Sequence, residues 1–99
     1  MVVVLIVERA PRGLRGELSR WLIEPRTGVF VGNLSATVRD KLWERVQAQP
    51  PPVAAMLIVG AKTEQHFTIR IHGDPTREVV DVEGVQLVRI HTEAKHKRR

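Results

Sequence analysis

Val2-Val-Val-Leu-Ile-Val7 is the stretch that decides the fold. It is too short and too rich in valine for a helix, and it is apolar at both parities, so it reads as a strand with two greasy faces. Val53-Ala-Ala-Met-Leu-Ile-Val59 has the same character. Between the two, Pro11 interrupts the pattern, and Leu14, Leu18, Trp21 and Leu22 then fall on one helical stripe. This spacing predicts a first helix from Arg12 to Ile23, closed by Glu24-Pro25 because a proline disfavours helical geometry in the residue before it. Thr27-Gly28 opens a short extended segment, Gly28 to Gly32, after which Asn33 or Ser35 can cap a second helix carrying Val38, Leu42, Trp43 and Val46. The prolines at 50, 51 and 52 end it.

Farther on, Gln65 to His72 alternates. Phe67, Ile69 and Ile71 point one way, and His66, Thr68, Arg70 and His72 the other, as in a half-exposed strand hairpinned to its predecessor. Gly73-Asp-Pro-Thr76 is a turn, and Val79 to Val82 and Val85 to Ile90 flank Glu83-Gly84 as a last extended pair. The order strand, helix, strand, helix, strand, strand, arm predicts an α+β, ferredoxin-like sandwich with two helices on one face of a mainly antiparallel sheet. The expected organisation is a core over 1–77, a C-terminal strand arm over 78–91 and a basic flexible tail over 92–99. Helices on one side leave the other side of the two-faced strands wet, so a second copy is expected to cover it in a two-fold, sheet-to-sheet homodimer.

With 99 residues, of which 42 % are hydrophobic and 27 % charged, the chain suits one globular domain and excludes a two-lobed enzyme. No apolar run approaches the ~18 residues of a membrane span. The start lacks the basic leader and cleavage site of a secretory signal, and the absence of cysteine excludes disulfides and thiolate metal sites, so a soluble, cytoplasmic protein is expected. Most of the net charge of +5 comes from Lys95, Lys97, Arg98 and Arg99. Within the body, Arg9, Arg12, Arg15 and Arg20 cluster against Glu17 alone, which makes a candidate anion-binding patch. Arg12, Arg15 and Arg39 lie at or near predicted helix starts, and a dimer would double them into an extended basic surface that holds a nucleic-acid backbone without reading its sequence.

Other chemistry has less support. Glu8 leaves the first strand at the sheet rim, and one carboxylate is a poor divalent-metal site unless a two-fold axis adds its copy. His66 and His72 are too far apart for one ion at about 3.3 Å per residue, and a solvated face is their expected place. Ser19 and Ser35 lack a nucleophile elbow, and Gly28 to Gly32 lacks the lysine of a phosphate loop. Trp21 and Trp43 are expected in the core.

The long pattern Leu14-Arg-Gly-x-Leu-x-x-Trp-Leu-x-Glu-x-Arg-x-Gly-Val-x-Val-Gly-x-x-Ser-Ala-x-x-Arg-x-x-x-Trp-Glu44, with Val80-Asp-x-x-Gly84, resembles the small CRISPR adaptation protein Cas-two in its type I-E subfamily. The resemblance implies a ferredoxin-like homodimer that sits between two dimers of the integrase Cas-one and holds duplex prespacer DNA for spacer acquisition. It implies phosphate contacts from Arg9, Arg12, Arg15, Arg39 and Arg77. It also implies docking to the partner protomer and the integrase through the arm, by Val79, Val80, Val82, Val85, Leu87, Val88 and Ile90. Glu8 matches the acidic residue that is the candidate ligand for Mg2+ or Mn2+ in members described as RNA or DNA endonucleases. Much of the wider family has aspartate there, and Arg9 beside Glu8 competes with a metal for the carboxylate. A non-catalytic scaffold is therefore the leading expectation, and a divalent-metal endonuclease the alternative.

Overall fold

The computed structural model describes residues 1–91, so the tail expected over 92–99 lies outside the described residues. Among the described residues nine elements follow one another: β1 (Val2–Glu8), α1 (Arg12–Leu18), β2 (Ile23–Arg26), β3 (Val29–Asn33), α2 (Ala36–Gln47), β4 (Ala54–Gly60), β5 (Phe67–His72), β6 (Arg77–Val82) and β7 (Val85–Ile90). The first five strands form one sheet in the order β2-β3-β1-β4-β5, and β6 and β7 form a separate two-stranded sheet. Every neighbouring pair is antiparallel. The fold is α+β and compatible with the ferredoxin-like expectation.

One cluster makes the core. Val3, Leu5 and Val7 of β1, Phe30 of β3 and Leu57 and Val59 of β4 point to one side of the sheet. They pack there against Leu14 and Leu18 of α1 and Leu42, Trp43 and Val46 of α2. The Ser35 hydroxyl caps α2 by accepting from the Val38 N–H at 3.3 Å. A capping contact of this type is worth about 1 kcal/mol.

Register shows what lies on the other side. Cross-strand partners share a face. Ile23, Val31, Val4, Ile58 and Ile69 therefore form one row across all five strands, and Arg26, Val29, Ile6, Met56 and Ile71 form the next. Among the described residues no helix packs on these rows. The uncovered face is apolar over the full width of the sheet, with Ile23 at 70 % exposure.

Three expectations need correction. The first helix ends at Leu18, not Ile23. The chain turns through Leu22, whose N–H still reaches the Leu18 carbonyl at 2.9 Å, and Ile23 enters β2. Glu24 and Pro25 thus belong to a strand, which tolerates proline because β2 is an edge. The shortened helix also swings Trp21 out to 54 % exposure, whereas Trp43 is buried as expected. In β5 the alternation holds, yet its apolar side joins the uncovered face. His72 sits on the helix side, edge-on to Trp43 with ring centroids 6.4 Å apart, and not on a solvated face.

The hairpin of β6 and β7 turns at Glu83-Gly84, both with positive φ, as a two-residue hairpin loop requires. It is tied to the edge of β5 through Gln65 and Gln86. Its apolar residues divide between two faces. Val80, Val82, Val85 and Leu87 share one, and Val79, Val88 and Ile90 the other.

Candidate nucleic-acid interface at the Glu8 end of the sheet

Glu8 closes β1 opposite Ala54, on the same side as Ile6 and Met56, so its carboxylate stands at the rim of the uncovered apolar face. Two hollows meet at this residue. One, of about 230 Å³, lies between Glu8, Met56, Ile71, Asp74 and Arg77. The other, of about 430 Å³, is lined by Glu8, Arg9, Ala10, Arg15, Thr27 and Gly28. The fold therefore gathers Arg9, Arg15 and Arg77 around one carboxylate although Arg77 is distant in sequence.

Each arginine is held differently. Arg9 takes a left-handed backbone conformation, φ 59°, that a non-glycine residue rarely adopts, and its side chain is exposed. Arg77 leans on Asp74 at 3.4 Å. Asp74 Oδ1 also accepts from the Thr76 hydroxyl at 2.6 Å and the Thr76 N–H at 2.9 Å. The Thr76 hydroxyl, then its N–H, hold the Asp74 carboxyl below its ordinary range, with Arg77 adding to the effect. Arg15 donates from Nη2 to Glu24 Oε2 at 2.6 Å. Arg12 is exposed at the start of α1 and has no ion pair among the described residues.

Arg39 does not join them. It lies at the opposite end of β1, beside Met1, Val2 and Lys62, and pairs with Asp40 at 2.9 Å. Seven strand residues at about 3.3 Å each separate it from the Glu8 end. Arg26, which the sequence reading passed over, does lie toward the Glu8 end of the sheet, on the edge strand in the row of Ile6 and Met56. It is exposed and unpaired among the described residues. The Glu-x-Arg in the quoted pattern was the signal that could have drawn attention to it.

The donor set of one chain does not fit a divalent cation. Among the described residues no group of three or more histidine, aspartate or glutamate side chains is placed to hold a metal. Asp74, the acid that shares a hollow with Glu8, has its oxygens engaged by Thr76 and Arg77. What the site can do on its own is hold an extended polyanion across several guanidinium groups beside an apolar face.

Residues 1–87 match a family of CRISPR-associated proteins, Cas_Cas2CT1978. The chain belongs to that family. In this CRISPR-associated protein the match runs from β1 through β6 and into β7, so it takes in the whole Glu8 site and most of the hairpin. Among the described residues no helix is long and apolar enough to cross a membrane.

Proposed function

We propose that this CRISPR-associated chain acts in the cytoplasm in spacer acquisition, as a type I-E-like dimeric scaffold. It grips duplex prespacer DNA with arginines at the Glu8 end and bridges two Cas-one integrase dimers through the β6–β7 hairpin. The observation that carries this reading is the juxtaposition of an apolar sheet face, spanning five strands, with a rim bearing Arg9, Arg26 and Arg77. A second copy on the apolar face doubles the basic rim into one continuous surface. The hairpin, with an outward apolar face of Val80, Val82 and Leu87, supplies the contact for the integrase.

Duplex binding measured against salt tests the DNA grip. Log affinity should fall with log salt by about 0.9 per neutralised phosphate, and Arg12→Ala, Arg15→Ala and Arg77→Ala together should flatten that slope. An unchanged slope refutes the reading.

One observation supports keeping the endonuclease alternative: Glu8 stands on the face a second copy would cover, where its counterpart could meet it. Reconstituted DNA insertion with the integrase separates the two readings. Equal yield from wild type and Glu8→Ala is the scaffold outcome, and loss of a Mg2+- or Mn2+-dependent cleavage in the variant is the nuclease outcome.

A further inference from the structure

Glu24 ties together three parts of the chain that meet next to Glu8. Its Oε2 accepts the Gly28 N–H at 2.9 Å and the Arg15 guanidinium at 2.6 Å. The Gly28 carbonyl in turn accepts the Val7 N–H at 2.7 Å, one residue before Glu8. The backbone thus fixes the carboxylate, the carboxylate fixes Arg15, and the same turn is anchored to the end of β1. The close approach needs glycine, since a Cβ at position 28 would lie 2.7 Å from the Val7 carbonyl oxygen.

We propose that Glu24 is a positioning residue that presents Arg15 to a DNA phosphate in the hollow beside Glu8 and Arg9. This rests on the DNA-gripping reading above and deepens it. Of the five N–H donors of a guanidinium, Glu24 occupies one on Nη2, and the side chain of Arg15 remains 38 % exposed and lines the hollow. An arginine steered by a carboxylate enters the complex already ordered, so less side-chain freedom is lost when the phosphate arrives. The bonds from Gly28 and Arg15 also hold the Glu24 carboxyl below its usual range, so the anchor stays ionised at working pH.

Glu24→Gln is the informative variant, because the amide oxygen can still accept from Gly28 while the charge that orients Arg15 is gone. Anisotropy of a labelled DNA duplex, titrated across salt, should show weaker binding and a slope reduced by about 0.9, the signature of one lost phosphate contact. Arg15→Ala should give the same loss, and Glu24→Gln added to Arg15→Ala should cost nothing further, whereas added to Arg77→Ala it should cost its full amount. A merely structural role lowers the melting temperature and leaves the salt slope alone. Binding by Glu24→Gln as tight as wild type, or tighter, overturns the inference and makes the carboxylate a competitor of phosphate. If Arg12→Ala and Arg77→Ala flatten the slope while Glu24→Gln does not, this inference falls and the DNA-gripping reading stands. If none of them alters it, both fall.

Discussion

The side chain of Gln65 and the backbone of Gln86 exchange two hydrogen bonds, Nε2 to the Gln86 carbonyl at 2.8 Å and the Gln86 N–H to Oε1 at 2.9 Å. Gln86 returns the contact by accepting the Ile69 N–H on its own Oε1 at 2.7 Å. Two amide side chains thus do the work of a ladder between β5 and the hairpin. Because the hairpin lies outside the buried core, Gln65→Ala should loosen it locally at about 1 kcal/mol per lost bond. Hydrogen exchange at Val85 to Ile90 should accelerate while the global melting temperature barely moves. Unchanged protection of those amides would show that other contacts hold the hairpin.

The uncovered face predicts oligomeric state. Ile58 stands between Val4 and Ile69 in the register, on the strand beside the middle one, within that face. Light scattering of the wild type should report about twice the 11.2 kDa chain mass, and Ile58→Lys should report a single chain with unchanged circular dichroism. A wild-type mass of one chain at micromolar concentration and modest salt contradicts the dimer.

Two glycines with similar backbones should respond differently to alanine. Gly84 has φ +86° and open space around it, so Gly84→Ala should cost about 1–2 kcal/mol, the conformational term alone. Gly28 has φ +81° and the Val7 carbonyl oxygen 2.7 Å from where a Cβ would be, so Gly28→Ala should cost about 2–4 kcal/mol as the Val7 contact is displaced. Urea titration of both variants gives the comparison, and equal costs would remove the close approach as a cause.

Acid should weaken the Glu8 end of the sheet. Glu24 and Asp74 have carboxyls held below their ordinary 4.5 and 3.8, chiefly by the Gly28 N–H in one case and the Thr76 hydroxyl in the other. A carboxyl whose value is lowered on folding contributes stability that is complete above its unfolded value and lost as pH falls through its folded one. Melting temperature should therefore hold level from pH 7 to about 5 and fall below the ordinary carboxylate range, and Glu24→Gln should make the fall shallower. A decline that begins above pH 5 would point to other groups.

Periodicity carried much of this architecture. The two-faced strands, the Ser35 cap and the final hairpin each follow from local spacing and turn chemistry. Spacing failed where tertiary position overrode it. Trp21 and Leu22 continue a helical stripe, yet the chain leaves the helix at Leu18, and Ile23 pairs with Val31 in the edge strand. A period of two shows that Phe67, Ile69 and Ile71 share a side of β5, but only the sheet order says which side the helices occupy. The candidate site was legible as residue types and not as a constellation. The chain folds Arg77 up to Glu8, leaves Arg39 at the far end, and uses Glu24, read from sequence as a helix stop, as the partner of Arg15.

Pro25 gives the molecule an asymmetry with a consequence for its solution behaviour. It sits in a four-residue strand on the outermost border of the sheet, where it has no N–H to offer a newcomer. A strand arriving at that border meets a proline and only four residues to pair with, a poor template for growth from edge to edge.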